Sequence, residues 1–243
     1  MSLFSSIFRK KSPENAQNER LGDDKTLIRV ENATLSYDGR AVIENLSFTV
    51  EDGDFLCVIG ENGSGKSSLI GALSGMIKLN GGKICFSGLT REQIGILPQQ
   101  ATVGSDSHAT VREIVTAGCL ARNRKGAFMS RESKEIVNYN LSLLGLTSLA
   151  DRQCRELSGG QCRKVMLARA LCAAEKLLLL DEATAGLDRA TAEEVYTLIS
   201  RLNQRGMTVV MITSDTTAAL RYANKILRIN KDSIFFGTPE ELA

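Results

Sequence analysis

The sequence predicts an α/β protein with a parallel sheet as its core, an antiparallel pair of strands before that core and a helical segment inserted into it. Three short apolar runs indicate buried strands: FLCVIG at 55–60, KLLLLD at 176–181 and MTVVMIT at 207–213. A helical pattern at 189–205 separates the last two runs. Buried strands that alternate with helices are typical of a parallel sheet.

The strands expected first in the chain have a different pattern. TLIRVENATLSY and AVIENLSFTV alternate in part between apolar and polar residues, which predicts an antiparallel pair with one exposed face. Asp38 and Gly39 lie between them and are typical of a tight turn. We therefore expect an N-terminal antiparallel β subdomain.

Helical spacing replaces the strand pattern in the middle of the chain. Residues 111–122 and 131–145 show it, and no apolar run typical of a buried strand occurs between roughly Thr110 and Glu156. We therefore expect an inserted α-helical subdomain at roughly 101–165, within one domain that spans 26–243.

The first 25 residues are polar and lack periodicity after their opening, and we treat 1–25 as a flexible tail. A second interpretation stays open, because apolar residues at 3, 4, 7 and 8 followed by basic residues at 9–11 would suit a short amphipathic helix on an anionic membrane surface. A secretory signal is not expected, since the basic residues follow the apolar ones.

Composition excludes several classes of protein. The chain has 243 residues, and 30 Lys and Arg against 28 Asp and Glu leave a net charge of +2, which gives no electrostatic reason to expect nucleic acid as a partner. No apolar run approaches the roughly 18 residues of a membrane-spanning helix. The six cysteines form no CxxC pair or Cys/His cluster, so we expect reduced thiols, typical of the cytosol, and no structural zinc site.

A glycine-rich segment follows the first buried strand. Residues 60–67, GENGSGKS, match GxxxxGK[ST] between a strand and a helical pattern, which is the context that a phosphate-binding loop requires. Glycines let backbone N–H groups close around phosphate oxygens, and the following helix directs its positive N-terminus at the same anion. Lys66 would reach the β- and γ-phosphates, and the Ser67 hydroxyl would bind Mg²⁺. The candidate nucleotide-binding positions are Gly60, Glu61, Asn62, Gly63, Ser64, Gly65, Lys66, Ser67 and Ser68, the last of them expected in the helix.

Two adjacent carboxylates, Asp181 and Glu182, end the second apolar strand. Ligands of open α/β sheets bind at that carboxyl edge. Neighbouring side chains on a strand point to different sides, so we assign them different roles. Asp181 suits the Mg²⁺ shell, and Glu182 suits orientation or general-base activation of the water that attacks the γ-phosphate. Such a pair also serves as a helix cap, but the phosphate loop upstream favours catalysis.

A second anion site is predicted at LSGGQ. Ser158 is a candidate N-cap for the helical pattern CRKVMLARALCAA, and the two glycines after it leave backbone donors open. A single ATP needs only one loop of the first kind. The simplest arrangement is two chains placed head to tail, each covering the nucleotide held by the other. The residues expected to contact nucleotide from the opposite chain are Ser158, Gly159, Gly160 and Gln161.

The motifs GENGSGKSS, LSGGQ and LLLLDEATAGLD, in this order and spacing, resemble the nucleotide-binding subunit of an ATP-binding cassette (ABC) transporter. The resemblance extends from Thr26 to the C-terminus and implies a P-loop NTPase (RecA-like) core that hydrolyses ATP with Mg²⁺. It also implies that Tyr37 stacks on adenine, with local strand packing as the alternative. Gln99 would contact Mg²⁺ and sense the membrane partner, or Gln100 if the register slips by one. Asp188 would lie in the loop that crosses the dimer interface.

One position departs from the pattern of this family. Where the family has a histidine after the next strand, in a pattern like SHD, residues 213–215 read TSD and place Ser214 there. The only histidine is His108, expected on an exposed loop. A serine hydroxyl is neutral and shorter, so it cannot supply the same charge-assisted contact to the γ-phosphate. Ser214 joins Glu182 and Gln99 as a catalytic candidate, and we expect slow ATP hydrolysis.

The resemblance implies partners as well. It implies a second ATP-binding subunit, taken as a copy of this chain, and a separate membrane permease that holds both on the cytoplasmic face of the cell membrane, with a substrate-binding protein contacted indirectly. ILPQQ, ATVREIV and INKDSIFFGTPEEL are similar to ATPases of zinc and manganese importers. Three alternatives stay open: another cargo, a soluble ABC ATPase without a transport role, and a P-loop switch or kinase-like module that uses ATP singly.

Overall fold

The computed structural model of the chain describes residues 25–37, 40–100, 108–122, 130–231 and 233–242. Nearly all of the predicted tail and the predicted turn at Asp38–Gly39 lie outside these residues.

The strands and helices that the sequence predicts are present in that order, and further strands and helices lie between and after them. The strands are β1 Thr26–Tyr37, β2 Arg40–Glu51, β3 Phe55–Ile59, β4 Gly81–Phe86, β5 Ile94–Leu97, β6 Leu177–Asp181, β7 Thr208–Ile212, β8 Lys225–Ile229 and β9 Ile234–Gly237. The helices are α1 Lys66–Leu73, α2 Val111–Arg122, α3 Arg131–Leu143, α4 Gly159–Ala173, α5 Arg189–Asn203, α6 Thr216–Tyr222 and α7 Pro239–Leu242.

A small antiparallel sheet has the strand order β2-β1-β4. Its residues alternate as the sequence predicts: Leu46, Phe48 and Val50 of β2 are buried, whereas Ser47 between them is exposed. Phe48 also meets Phe236 of β9, with ring centroids 5.8 Å apart. The apolar face of this sheet therefore packs onto the larger sheet, which confirms the predicted antiparallel pair.

The larger sheet has the order β5-β6-β7-β3-β8-β9. Its strands run parallel from β5 to β8, and β9 pairs with β8 in the antiparallel sense. Every residue of β3, β6 and β7 is buried. Strands covered on both faces have no polar side to alternate with, which explains their continuous apolar runs. The predicted parallel core is confirmed.

Between β5 and β6 in chain order, the described residues include α2 and α3, which pack against each other and against α4. Buried residues of α2 and α3, including Val115, Cys119 and Leu141, join one apolar cluster with Val165 of α4. None of the helices in the described part of the chain combines the length and the apolar character that a membrane span requires.

All six cysteines are free thiols. Burial raises the pKa of Cys57 to about 12, and burial, with the neighbouring Cys162, raises the pKa of Cys154 to about 11. These two side chains are therefore protonated near neutral pH and behave as small apolar groups.

Strands β3 and β8 approach each other closely where β3 ends. Gly60 has a φ of +140°, and a Cβ atom added there would lie 1.9 Å from the backbone oxygen of Ile229. Gly63, with a φ of +80°, would have nothing within 4 Å of an added Cβ. The space at Gly60 is thus closed by backbone that no side-chain rotation can move away.

Gly60→Ala is expected to lower the free energy of unfolding by about 3 kcal/mol or more, because strain and overlap with backbone act together. The matched variant Gly63→Ala meets only the left-handed backbone cost of about 1–2 kcal/mol. Urea unfolding followed by circular dichroism measures both. Equal losses in the two variants would contradict the packing argument.

Candidate functional site

The carboxyl ends of the parallel strands open into a cavity of about 520 Å³. This volume lies within the range of pockets that bind small molecules and cofactors. The cavity brings together the phosphate loop, Gln99 after β5 and Glu182 after β6, which the sequence predicts for one site. Its lining residues are Val42, Asn62, Gly63, Gly65, Lys66, Ser67, Ser68, Gln99, Glu182 and Ile212.

The phosphate loop leads directly into α1. Gly65 is the N-cap residue, with left-handed backbone and no side-chain cap, and the first turn of α1 contains no acidic residue. The N–H groups of the first turn have no partners within the helix, and its positive end is not neutralised by a carboxylate. The start of α1 can therefore donate to an anion in the cavity. Ser67 and Ser68 lie in this turn, which confirms Ser68 as a helix residue.

Lys66 folds over the loop that precedes it. Its ammonium group donates to the backbone oxygens of Gly60, at 2.9 Å, and Glu61, at 2.6 Å. Burial lowers the pKa of Lys66, and the nearby carboxylates, with Glu182 the strongest, act in the opposite direction. The cation is thus held at the mouth of the loop among negative groups.

Asp181 is a buried carboxylate, 4% exposed, and its Oδ1 atom has no hydrogen-bond partner among the described residues. Burial raises the pKa of Asp181, while a hydrogen bond from Ser67 and the charges of Arg163 and Lys66 lower it. A carboxylate oxygen and a hydroxyl side by side are ligands of the type that Mg²⁺ prefers. The unpartnered oxygen therefore fits a magnesium ion at this position.

Glu182 leaves the sheet directly after Asp181. It adopts a φ of +50°, and its N–H donates to the backbone oxygen of Ile212 at 3.0 Å. Gln99 donates from Nε2 to the Glu182 carboxylate at 3.4 Å. The sequence argument separated Asp181 from Glu182 by strand alternation, but β6 ends at Asp181, and left-handed backbone is what redirects Glu182.

Residues 158–161, which we call the serine-glycine tip, form the N-terminus of α4 with Ser158 as its N-cap, as predicted. The Ser158 hydroxyl accepts from the N–H of Gln161 at 3.3 Å, and the Gln161 side chain accepts from the N–H of Ser158 at 3.0 Å. This capping box occupies both side chains, so the tip offers the backbone N–H groups of Gly159 and Gly160. The structure describes all four residues of the tip, and none of them lines the cavity of the same chain.

The remaining predicted positions lie in other parts of the chain. Asp188 caps α5, accepting from Thr191, and these hydrogen bonds lower the pKa of Asp188. Ser214 is exposed and lies two residues after the end of β7, and His108 is exposed outside the helices and strands. The backbone of Tyr37 ends β1, and its side chain lies outside the described part.

Arg163 is a residue that the sequence analysis missed. It lies on α4, is 8% exposed and donates only to backbone oxygens, those of the segment with Gln99 and of the segment with Asp181 and Glu182. A basic residue in a helical pattern is typical of a solvent-facing position, so no sequence signal distinguishes this one.

A hydroxyl network behind the site was also missed. The Tyr196 hydroxyl is 2.6 Å from the Thr213 hydroxyl and accepts from Thr184 at 3.3 Å. The Tyr196 ring stacks on Tyr222, with centroids 5.5 Å apart. Burial raises the pKa of Tyr196, so its hydroxyl is neutral near pH 7. The network joins the segment after Glu182 to the end of β7.

Comparison with known proteins gives a consistent result. Residues 43–185 match the family described as ABC transporter. The chain is 36% identical to the zinc uptake system ATP-binding protein ZurA of Listeria innocua over 225 residues, 88% of this chain and 87% of that protein. It is 32% identical to the manganese transport system ATP-binding protein MntB of Bacillus subtilis over 219 residues, 88% of each.

A solved structure shares the fold. It is described as an ABC transporter of the metal-chelate type in an inward-facing conformation, and it matches with a TM-score of 0.80 and 33% identity. The match covers 90% of this chain and 85% of that one.

Asp181→Asn is expected to stabilise the ligand-free protein by about 1 kcal/mol at pH 7, because it removes a buried charge that lacks a full set of partners. The folded-state pKa of Asp181 is raised, so wild-type stability is lost as pH rises through the unfolded and then the folded pKa. The advantage of the variant should shrink below the unfolded pKa.

Urea unfolding at several pH values measures this difference. The control is Asp151→Asn, since the Asp151 side chain is 87% exposed and pairs with Arg112 at the surface. A loss of stability in Asp181→Asn at pH 7 would contradict the expectation.

Proposed function

Because this chain belongs to the ABC transporter family, we propose that it is the ATP-hydrolysing subunit of an importer for a transition-metal ion such as zinc or manganese. Membership makes the chain an ATP-binding subunit with ATPase activity. Cassettes of this family dimerise and work with membrane permeases. The cargo, the identity of the second subunit and the roles of individual residues are the proposal.

The observation that supports a head-to-tail dimer is the separation of two candidate phosphate-binding sites, the phosphate loop with the start of α1 and the serine-glycine tip. Lys66 and the start of α1 face the cavity, whereas the Ser158 tip does not line it in the same chain. Both are built to donate to an anion. A second copy of the chain, turned head to tail, would bring its tip over the γ-phosphate of the first.

The reaction follows from groups that stand around the cavity. Lys66 and the backbone N–H groups of 63–67 would hold the β- and γ-phosphates, and Tyr37 would stack on adenine. Glu182 would orient and activate the attacking water, with Gln99 beside it. Closing the tip of the partner over the γ-phosphate would exclude bulk water and strengthen these contacts.

Magnesium would be held by Asp181, Ser67 and Gln99. When bound, the ion neutralises charge on the β- and γ-phosphates. The buried, unpartnered oxygen of Asp181 supports this placement.

Metal import is supported by the printed functions of the relatives. The zinc and manganese ATPases match over nearly the same length of this chain. The chain would lie on the cytoplasmic face of the membrane, held there by a permease. A separate substrate-binding protein would deliver the metal to the permease without contacting this chain. ATP-dependent uptake of zinc or manganese by liposomes that contain the chain with its permease tests the cargo, and uptake of neither metal would contradict it.

Glu182→Gln is expected to reduce ATP hydrolysis by about 10²-fold or more and to accumulate an ATP-bound dimer, because nucleotide binding persists without water activation. Size-exclusion chromatography with and without MgATP measures the dimer. The matched control is Glu194→Gln, an exposed carboxylate paired with Lys164 on α4. A Glu182→Gln protein that stays monomeric at saturating MgATP would favour a module that uses ATP singly.

Ser214→His is expected to raise the rate of ATP hydrolysis by about 10²-fold, since an imidazole supplies the contact that serine lacks. Thr217→His, at an exposed position of α6, is the control. Steady-state turnover measures both, and an unchanged or lower rate in Ser214→His would show that Ser214 does not limit the reaction.

A further inference from the structure

On the basis of the proposed function, we propose that Arg163 is a positioning residue for ATP hydrolysis. Its guanidinium fixes the segment that carries Gln99 and the segment that carries Asp181 and Glu182 against α4, the helix that begins at the serine-glycine tip. One side chain thus sets the relative positions of three parts of the site without contacting the nucleotide.

The hydrogen bonds of Arg163 use all five N–H groups that a guanidinium has. Each goes to a different backbone oxygen. Nε donates to Ala183 at 3.4 Å, Nη1 donates to Pro98 at 3.2 Å and to Gln99 at 3.0 Å, and Nη2 donates to Asp181 and to Glu182 at 2.6 Å each.

These acceptors belong to two chain segments that no ladder hydrogen bond joins at this point. Strands β5 and β6 pair through Leu97 and Leu180, and the pairing stops there. Beyond it, the carbonyls of Gln99 and Glu182 converge on the same guanidinium. Arg163 therefore continues the connection between the two strands past the end of the sheet, where Gln99 and Glu182 face the cavity.

The environment of Arg163 makes these bonds strong. The side chain is 8% exposed, and no carboxylate among the described residues lies within ion-pair distance of it. A buried cation that has only backbone dipoles as partners holds them tightly, because water cannot replace them. The charge is retained through neighbouring carboxylates, which oppose the lowering of the Arg163 pKa by burial.

Position on α4 links the guanidinium to the tip. Arg163 lies five residues after Ser158, which is about 7.5 Å along a helix. A helix of 15 residues moves as a rigid rod at this scale. If contact with the nucleotide of a partner chain displaces the tip, Arg163 and the backbone oxygens bound to it would therefore move as well.

Lysine cannot reproduce this arrangement. Its ammonium has three donors on a point charge, whereas the five acceptors require a planar fork. The neighbouring Lys164 provides a matched control. It lies on the same helix as Arg163, but its ammonium pairs with the exposed Glu194 of α5, at 3.6 Å.

The test compares Arg163→Lys, Arg163→Gln and Lys164→Gln in the full chain. We expect kcat to fall by about 10–100-fold in both Arg163 variants, the loss typical of removing a residue that orients the ligands of a metal ion. In Lys164→Gln, kcat should stay within about twofold of the wild type. The equilibrium affinity for ATP without Mg²⁺, measured by fluorescence titration of a nucleotide analogue, should stay within about threefold, because the phosphate loop is untouched. The Mg²⁺ concentration for half-maximal turnover should rise by about tenfold.

Three results would overturn the inference. The first is a wild-type kcat in Arg163→Lys. The second is an equal loss of ATP affinity and kcat in both Arg163 variants together with a lower melting temperature, which would mean that Arg163 only maintains the fold. The third is a loss in Lys164→Gln as large as in Arg163→Gln. Failure of the proposed function is distinguishable, because it would appear as wild-type ATP hydrolysis in Glu182→Gln or as uptake of neither metal, whatever the Arg163 variants do.

Discussion

Charges held out of water at one edge of the parallel sheet are the constraint on which the rest of the structure depends. Lys66, Arg163 and Asp181 are each less than a tenth exposed. Removing charged groups from water is costly unless their partners are close and well oriented. Here the partners are mostly backbone: carbonyls for the two cations and helix N–H groups for the anion that the loop receives. Accurate placement of the main chain is therefore what makes the two buried cations tolerable.

The sequence predicted the parts that depend on local pattern. Strands β3, β6 and β7 could be predicted because complete burial selects nearly continuous runs of apolar side chains. The Ser158 cap could be predicted because its hydrogen-bond partner lies three residues away. The strand order was not predictable, since β3 lies between two strands from the far end of the chain. Arg163 was hidden for the same reason, because all of its acceptors are distant in sequence. The backbone of Glu182 was unforeseen because φ is set by the pairing of its N–H with Ile212.

Ser214 follows a residue whose hydrogen bonds could not be predicted from the sequence. Thr213, directly before it, is hydrogen-bonded to Tyr196 and also accepts from the N–H of Asp215. The same tyrosine reaches Thr184, two residues after Glu182. The end of β7 is thus tied to the segment beyond the acidic pair by neutral hydroxyls. Ser214 therefore follows a residue that hydrogen bonds hold in place, and it differs from a histidine in having a shorter, neutral side chain.

The interleaving of the strands has a consequence for how the protein is made. Strand β3 pairs with β7 on one side and β8 on the other, and the N–H of Phe55 binds the side chain of Asn224, 169 residues later. A nascent chain emerging from the ribosome exposes β3 and the loop after it long before either neighbour has been translated. Unpaired apolar strands of this kind are prone to aggregation until the late segments arrive. The phosphate loop that follows β3 therefore gains both of its supporting neighbour strands only once β8 has been translated.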